Sequence, residues 1–123
     1  MTIMDAITRI DTLKPNRYEQ IEKIKWLGTL DDRIKLEIID THEDSENIAY
    51  DGYSEESSLS TVLLAPSPYD ELYLYWLEAQ IDYWNGETKK YNNSIEMFNA
   101  AYAEYASHYH RAHTPKGKKL CHF

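Results

Sequence analysis

This 123-residue chain has a single cysteine, only four glycines and four prolines, and few basic side chains. With Cys121 alone, an intrachain disulfide is excluded, which fits a reducing compartment. The scarcity of Gly and Pro leaves no flexible linker, so one domain is expected at this length. No apolar run approaches the roughly 20 residues that cross a bilayer, and no basic-then-apolar leader opens the sequence. Neither a membrane span nor a signal peptide is therefore expected, and the protein reads as made in a cytoplasm. Thirteen Lys and Arg stand against twenty-one Asp and Glu, a net charge of −8. Sequence-specific nucleic-acid binding needs basic surface to neutralise phosphates, so this balance argues against it.

Aromatics are plentiful: eleven Tyr, three Trp and two Phe in a chain with 28% charged residues. Tyr and Trp join a large apolar body to a polar tip, which suits both cores and surfaces that are covered only on assembly.

The local signals predict an all-α fold, a small four-helix bundle. Thr2 with Asp5 reads as a capping pair for a helix from Ile3 to about Leu13, stopped by Lys14-Pro15 because a residue before proline is pushed out of helical dihedrals. Asn16 with Glu19 predicts the cap of a second helix. Its apolar positions Ile21, Ile24, Leu27, Leu30, Ile34 and Ile38 step by three or four residues, favouring one helix to about Thr41. Gly28 lies inside it at a cost of about 1 kcal/mol relative to Ala, so a bend there is an alternative.

Residues 42–60 lose that periodicity, and with the run that follows they make a loop over 42–66. Seven acidic side chains and no Lys or Arg lie between Asp40 and Glu56, predicting a long loop that is solvated or faces a partner. The apolar run 61–65 is either a clamp on the helices or a short strand that pairs with another subunit.

Ser67, Pro68 and Asp70 predict the cap and first turn of a third helix, and Gly86 its left-handed stop. One face carries Tyr69, Leu72, Tyr73, Trp76, Leu77, Gln80, Ile81 and Trp84, with Glu71, Glu78 and Asp82 placed elsewhere. A fourth helix, from about Glu87 to Tyr109, repeats Tyr91, Ile95, Phe98, Tyr102, Tyr105 and Tyr109 at near-heptad steps. So short a connection predicts an antiparallel hairpin. Residues 1–113 then form the helical domain and residues 114–123 a basic tail, giving the chain opposed charge along its length.

The chemistry-bearing residues do not assemble into a site. His108, His110, His113, Cys121 and His122 are candidate soft ligands, but His108 and His110 lie two apart and share no helical face. No CxxC or HExxH spacing occurs, so no metal is expected. Asp51-Gly52 lacks the surroundings of a calcium loop. Helical carboxylates fall mostly on polar faces, whereas an acid–base pair needs a dry pocket to separate two pKa values. No cofactor and no enzymatic activity are expected. Tyr73, Tyr83, Tyr91, Tyr102 and Tyr109 offer stacking surfaces, yet without interleaved basic residues a nucleic-acid role is weak. Tyrosines off the core face, Tyr75 and Tyr83, read as protein interface.

The segments 13–18 (Leu-Lys-Pro-Asn-Arg-Tyr), 66–73 (Pro-Ser-Pro-Tyr-Asp-Glu-Leu-Tyr) and 91–102 (Tyr-Asn-Asn-Ser-Ile-Glu-Met-Phe-Asn-Ala-Ala-Tyr) resemble small proteins encoded by tailed phages and prophages of Gram-positive bacteria. The overall plan is similar to their head–tail connector, or adaptor, proteins. This resemblance implies a virion protein, assembled in the host cytoplasm as a homo-oligomeric ring, typically a dodecamer, beneath the portal protein. It would meet a stopper or tail-completion protein on its other side, and genomic DNA would pass through without sequence-specific binding. Carried onto this chain, the tail would dock on the portal through Lys116, Lys118, Lys119, Leu120 and Phe123, while the loop and nearby aromatics (Tyr50, Tyr53, Val62, Leu63, Leu64, Tyr75 and Tyr83) would meet adjacent subunits. The Cys121-His122-Phe123 ending is no part of the resemblance. The alternatives are another virion role, capsid-associated or in tail completion, and a cytoplasmic helical regulator that binds one protein partner.

Overall fold

The computed structural model describes residues 1–116, and these form an all-α, four-helix bundle. Helix α1 spans Ile3–Leu13, α2 Gln20–Glu37, α3 Leu72–Trp84 and α4 Thr88–Ala112. Helices α3 and α4 make the antiparallel hairpin that the sequence predicts, packing along each other while α1 and α2 lie against α3. The core is a single cluster that includes Ile3, Ile10, Leu27, Leu30, Ile34, Leu72, Leu77, Ile81 and Phe98.

The element ends follow from local chemistry, and some differ from expectation. Thr2 and Asp5 form a reciprocal capping box on α1, each side chain bonding the other's backbone N–H, and Lys14 closes the helix. Asn16 does not cap α2. Its side chain accepts from the Tyr18 N–H and donates to Asp11 and the Lys14 carbonyl, which fixes a non-helical turn, so α2 starts four residues later at Gln20. Helix α2 ends at Glu37, and the turn Ile39–Thr41 beyond it is 3-10. Gly28 does not break α2; Tyr53 lies over it, its Cβ 3.7 Å from where a Gly28 Cβ would stand.

Ser67 makes no capping bond to α3. The Ser67–Pro68 peptide is cis, a 3-10 turn at Tyr69–Glu71 follows, and α3 begins at Leu72. Gly86 does supply the left-handed residue between α3 and α4, at φ 75°. Helix α4 runs to Ala112, past the expected end at Tyr109.

The run 61–65 is no strand. It is the clamp: Val62 makes one isolated bridge to Thr2, the Ile3 N–H donates to the Thr61 carbonyl, and Leu63 and Ala65 enter the core. The rest of the 42–66 connection also folds back on the bundle, with His42 and Ser45 buried and Ile48, Tyr53 and Leu59 packed on the core. Among the described residues, no helix is long and apolar enough to cross a membrane.

Candidate functional site

Three polar clusters and one exposed aromatic end are the places where chemistry-bearing side chains of the described residues gather most closely. The first cluster ties the connection to the helices. Asp31, on α2, lies four residues after Leu27 and three before Ile34, and so sits on the apolar face of its helix, 0% exposed. Its Oδ1 accepts from the Tyr73 hydroxyl at 2.6 Å, and its Oδ2 accepts from the Tyr53 hydroxyl and from the Leu64 N–H at 3.0 Å. The Tyr73 oxygen in turn accepts from the Ala65 N–H at 2.7 Å. Burial pushes the Asp31 carboxyl above the usual carboxylate range, and the three donors only partly offset it. Burial and the neighbouring carboxylates likewise raise the Tyr50, Tyr53 and Tyr73 hydroxyls, keeping them protonated donors. Tyr50 bonds Asp32 one position along. Asp31 is saturated by donors and enclosed, which suits a tie point and not an acid–base group.

The second cluster lies at the hairpin turn. Asp82, expected off the core face of α3, is fully buried; it forms an ion pair with Lys14 and accepts from Ser94 Oγ of α4 at 2.8 Å. Lys23 is buried similarly, its Nζ 2.6 Å from Asp11 Oδ1 and 2.9 Å from the Tyr18 carbonyl. Lys14 and Lys23 thus lock α1 to the other helices with charge inside the bundle.

The third cluster gathers at the end of α4. His42 is buried and bonds the Ile38 carbonyl through Nδ1 at 2.6 Å, while its Nε2 stands 3.0 Å from His110 Nδ1. His113 stacks on Tyr109 with ring centroids 3.8 Å apart and bonds Asp44 at 2.8 Å. His108 stacks instead on Tyr69. Sequence spacing correctly separates His108 from His110, but it gives no sign of His42, whose partner stands 68 positions away. Among the described residues, no group of three or more His, Cys, Asp or Glu is placed to hold a metal ion.

The aromatic end is the exposed feature. Tyr83 and Trp84 are 58% and 61% exposed, set edge to face at 5.2 Å, with Tyr91 beside Tyr83 at 5.6 Å. An open groove of about 300 Å³ runs between Tyr83, Gly86, Glu87, Thr88, Tyr91 and Asn92. Trp84 was expected on the core face; α3 ends there, and no element lies over it among the described residues, so it faces out.

The other anticipated interface residues divide. Val62 is exposed, Leu64 and Tyr75 are half-buried, and Tyr50 and Tyr53 are half-buried with their hydroxyls committed to Asp32 and Asp31. Leu63 is a correction: at 3% exposure it belongs to this chain's own core and presents nothing to a neighbour. Lys116 is exposed, and its N–H donates to the Thr41 carbonyl at 2.8 Å, so the start of the tail lies along the 41–43 turn. Lys118, Lys119, Leu120 and Phe123, like Cys121 and His122, lie outside the described residues.

Comparison with protein-family models, curated proteins and solved structures finds no match to this chain.

Proposed function

We propose that this chain is a non-enzymatic structural protein of a tailed-phage virion, a head–tail connector that self-associates as a ring and joins the portal to the stopper or tail. The single observation that carries this reading is the uncovered aromatic end of the α3–α4 hairpin, where Tyr83 and Trp84 stand in solvent beside a groove. Large aromatics exposed together mark surfaces that are covered on association. Two further features support it. The carboxylates Asp31 and Asp82 serve as internal ties, which leaves the assembly role to the surface. A net charge of −8, repeated around a ring, repels DNA phosphates and keeps a channel from gripping the genome.

The test is sedimentation of the purified full chain alone and after mixing with a tailed-phage portal protein. The reading expects rings, or co-sedimentation with portal, and loss of either when Tyr83 and Trp84 are replaced by alanine. A monomer or dimer that ignores portal defeats it and leaves the protein-binding regulator as the better account.

A further inference from the structure

We propose that His42 and His110 form a proton-operated latch, which holds residues 114–116 against the turn at 41–43 and releases them when the pair takes up a second proton. The inference stands apart from the connector reading, because it rests only on the contact between the end of α4 and the turn after α2.

The argument starts at the Ile38 carbonyl. A carbonyl oxygen only accepts, so a ring nitrogen 2.6 Å away must carry the hydrogen, which fixes His42 with its proton on Nδ1. In the neutral ring Nε2 is then an acceptor, and His110 Nδ1, 3.0 Å away, must be its donor. The contact therefore holds one proton between two imidazoles. If both rings charge, two N–H hydrogens face each other across the same gap, and the stacked rings, with centroids 4.9 Å apart, repel.

What the contact secures is visible in the backbone. Glu43 donates its N–H to the Thr114 carbonyl at 2.9 Å, Lys116 donates to Thr41 at 2.8 Å, and His42 bridges Pro115. These bonds hold only while the end of α4 stays beside the turn.

Two other titratable groups touch the His42 ring: Tyr109 with centroids 4.8 Å apart and His113 at 5.9 Å, and Asp44 stands behind His113. Along the chain the pair is flanked by Asp40, engaged by Lys35, by Glu43 and Glu46, and by Arg111 and Lys116. His113 acts in the opposite sense. It bonds Asp44, and that bond holds the Asp44 carboxyl below its usual range, so protonating His113 turns the bond into an ion pair and resists opening.

The sign follows from proton counting. The closed contact has room for only one hydrogen between the two rings, so the open state can bind more protons than the closed one, and lowering pH shifts the population toward open.

The test is the {1H}-15N heteronuclear NOE of the full chain at pH 8 and pH 5. The proposal expects the Thr114 and Lys116 amides to fall from helix-like values to those of free chain at pH 5, with α1–α3 amides unchanged. In His110→Phe, at an exposed position, the difference between the two pH values should vanish. In His113→Phe the transition should remain, with its midpoint moved to higher pH. An unchanged wild-type NOE overturns the proposal, as does a His110→Phe variant that titrates like wild type. A transition abolished by EDTA also overturns it, because a metal ion and not a proton would then operate the pair.

Discussion

Tyr73, from α3, and Asp31, from α2, meet at 2.6 Å inside the bundle, and through that one contact two backbone amides of the intervening connection are also held. The hydroxyl both donates and accepts there, so its removal orphans two buried partners at once, Asp31 Oδ1 and the Ala65 N–H.

Tyr73→Phe should therefore destabilise the fold by on the order of 2–3 kcal/mol, although it deletes a single oxygen. Urea unfolding checks this: the midpoint should fall while the slope stays constant. A midpoint within error of wild type would mean that Asp31 finds another donor.

Asp31 also sets a pH dependence of unusual sign. Its folded pKa is raised by burial, so between the unfolded value of about 3.9 and the raised folded value the native state binds more protons than the unfolded chain. Its contribution is greatest below the unfolded pKa and is lost as pH rises through the folded one. Asp5 and Glu37 are lowered by hydrogen bonds, to Thr2 and to Arg33, and act in the opposite direction, their contributions fading as pH falls. Subtracting the stability of Asp31→Asn from that of wild type isolates the Asp31 part. From pH 4 upward that difference should decline, and a rising difference would refute the assignment.

Lys14→Met should cost about 3–5 kcal/mol, since it leaves the fully buried Asp82 with Ser94 alone. Ser94→Ala should cost nearer 1 kcal/mol, because the ion pair survives. Thermal unfolding of both variants and of the double mutant gives the coupling. If Lys14→Met proves as mild as Ser94→Ala, the Asp82 charge is relieved in some other way.

Tyr83→Ala with Trp84→Ala should leave the melting transition of the isolated chain nearly unchanged, within about 0.5 kcal/mol per site, since both rings stand mostly in solvent. Their effect should appear only in assembly, read by sedimentation. A large loss of stability would show that the rings support the fold and would remove the aromatic end as an interface.

The parts of this fold that were legible in the sequence are those fixed by near neighbours. The Thr2–Asp5 box, the Lys14-Pro15 stop and the Gly86 turn each act across at most three residues, and each stands as read. The α3–α4 hairpin follows from the last of these. Asn16 and Ser67 misled because side chains that can cap a helix can equally hold a turn, and only the surrounding chain decides which. Asp31 had a signal that went unread, its place in the Leu27–Leu30–Ile34 ladder, although nothing nearby indicated Tyr73 as a partner 42 positions on. Of the candidate surface, Tyr83 was legible from its position off the core face; Trp84 was not, because a helical wheel does not show that the covering layer has ended.

The connection from α2 to α3 is held twice, by Leu63 and Ala65 inside the core and by a hydroxyl and backbone amides that converge on Asp31 and its partner Tyr73. Peeling it away would remove two of the three donors to Asp31, those from Tyr53 and Leu64, and open the core that Leu63 and Ala65 fill. Amides of this segment should therefore exchange with solvent through whole-molecule opening, at the same free energy as those of α2 and α3, so that a stretch which looks like a loop behaves as part of one cooperative unit.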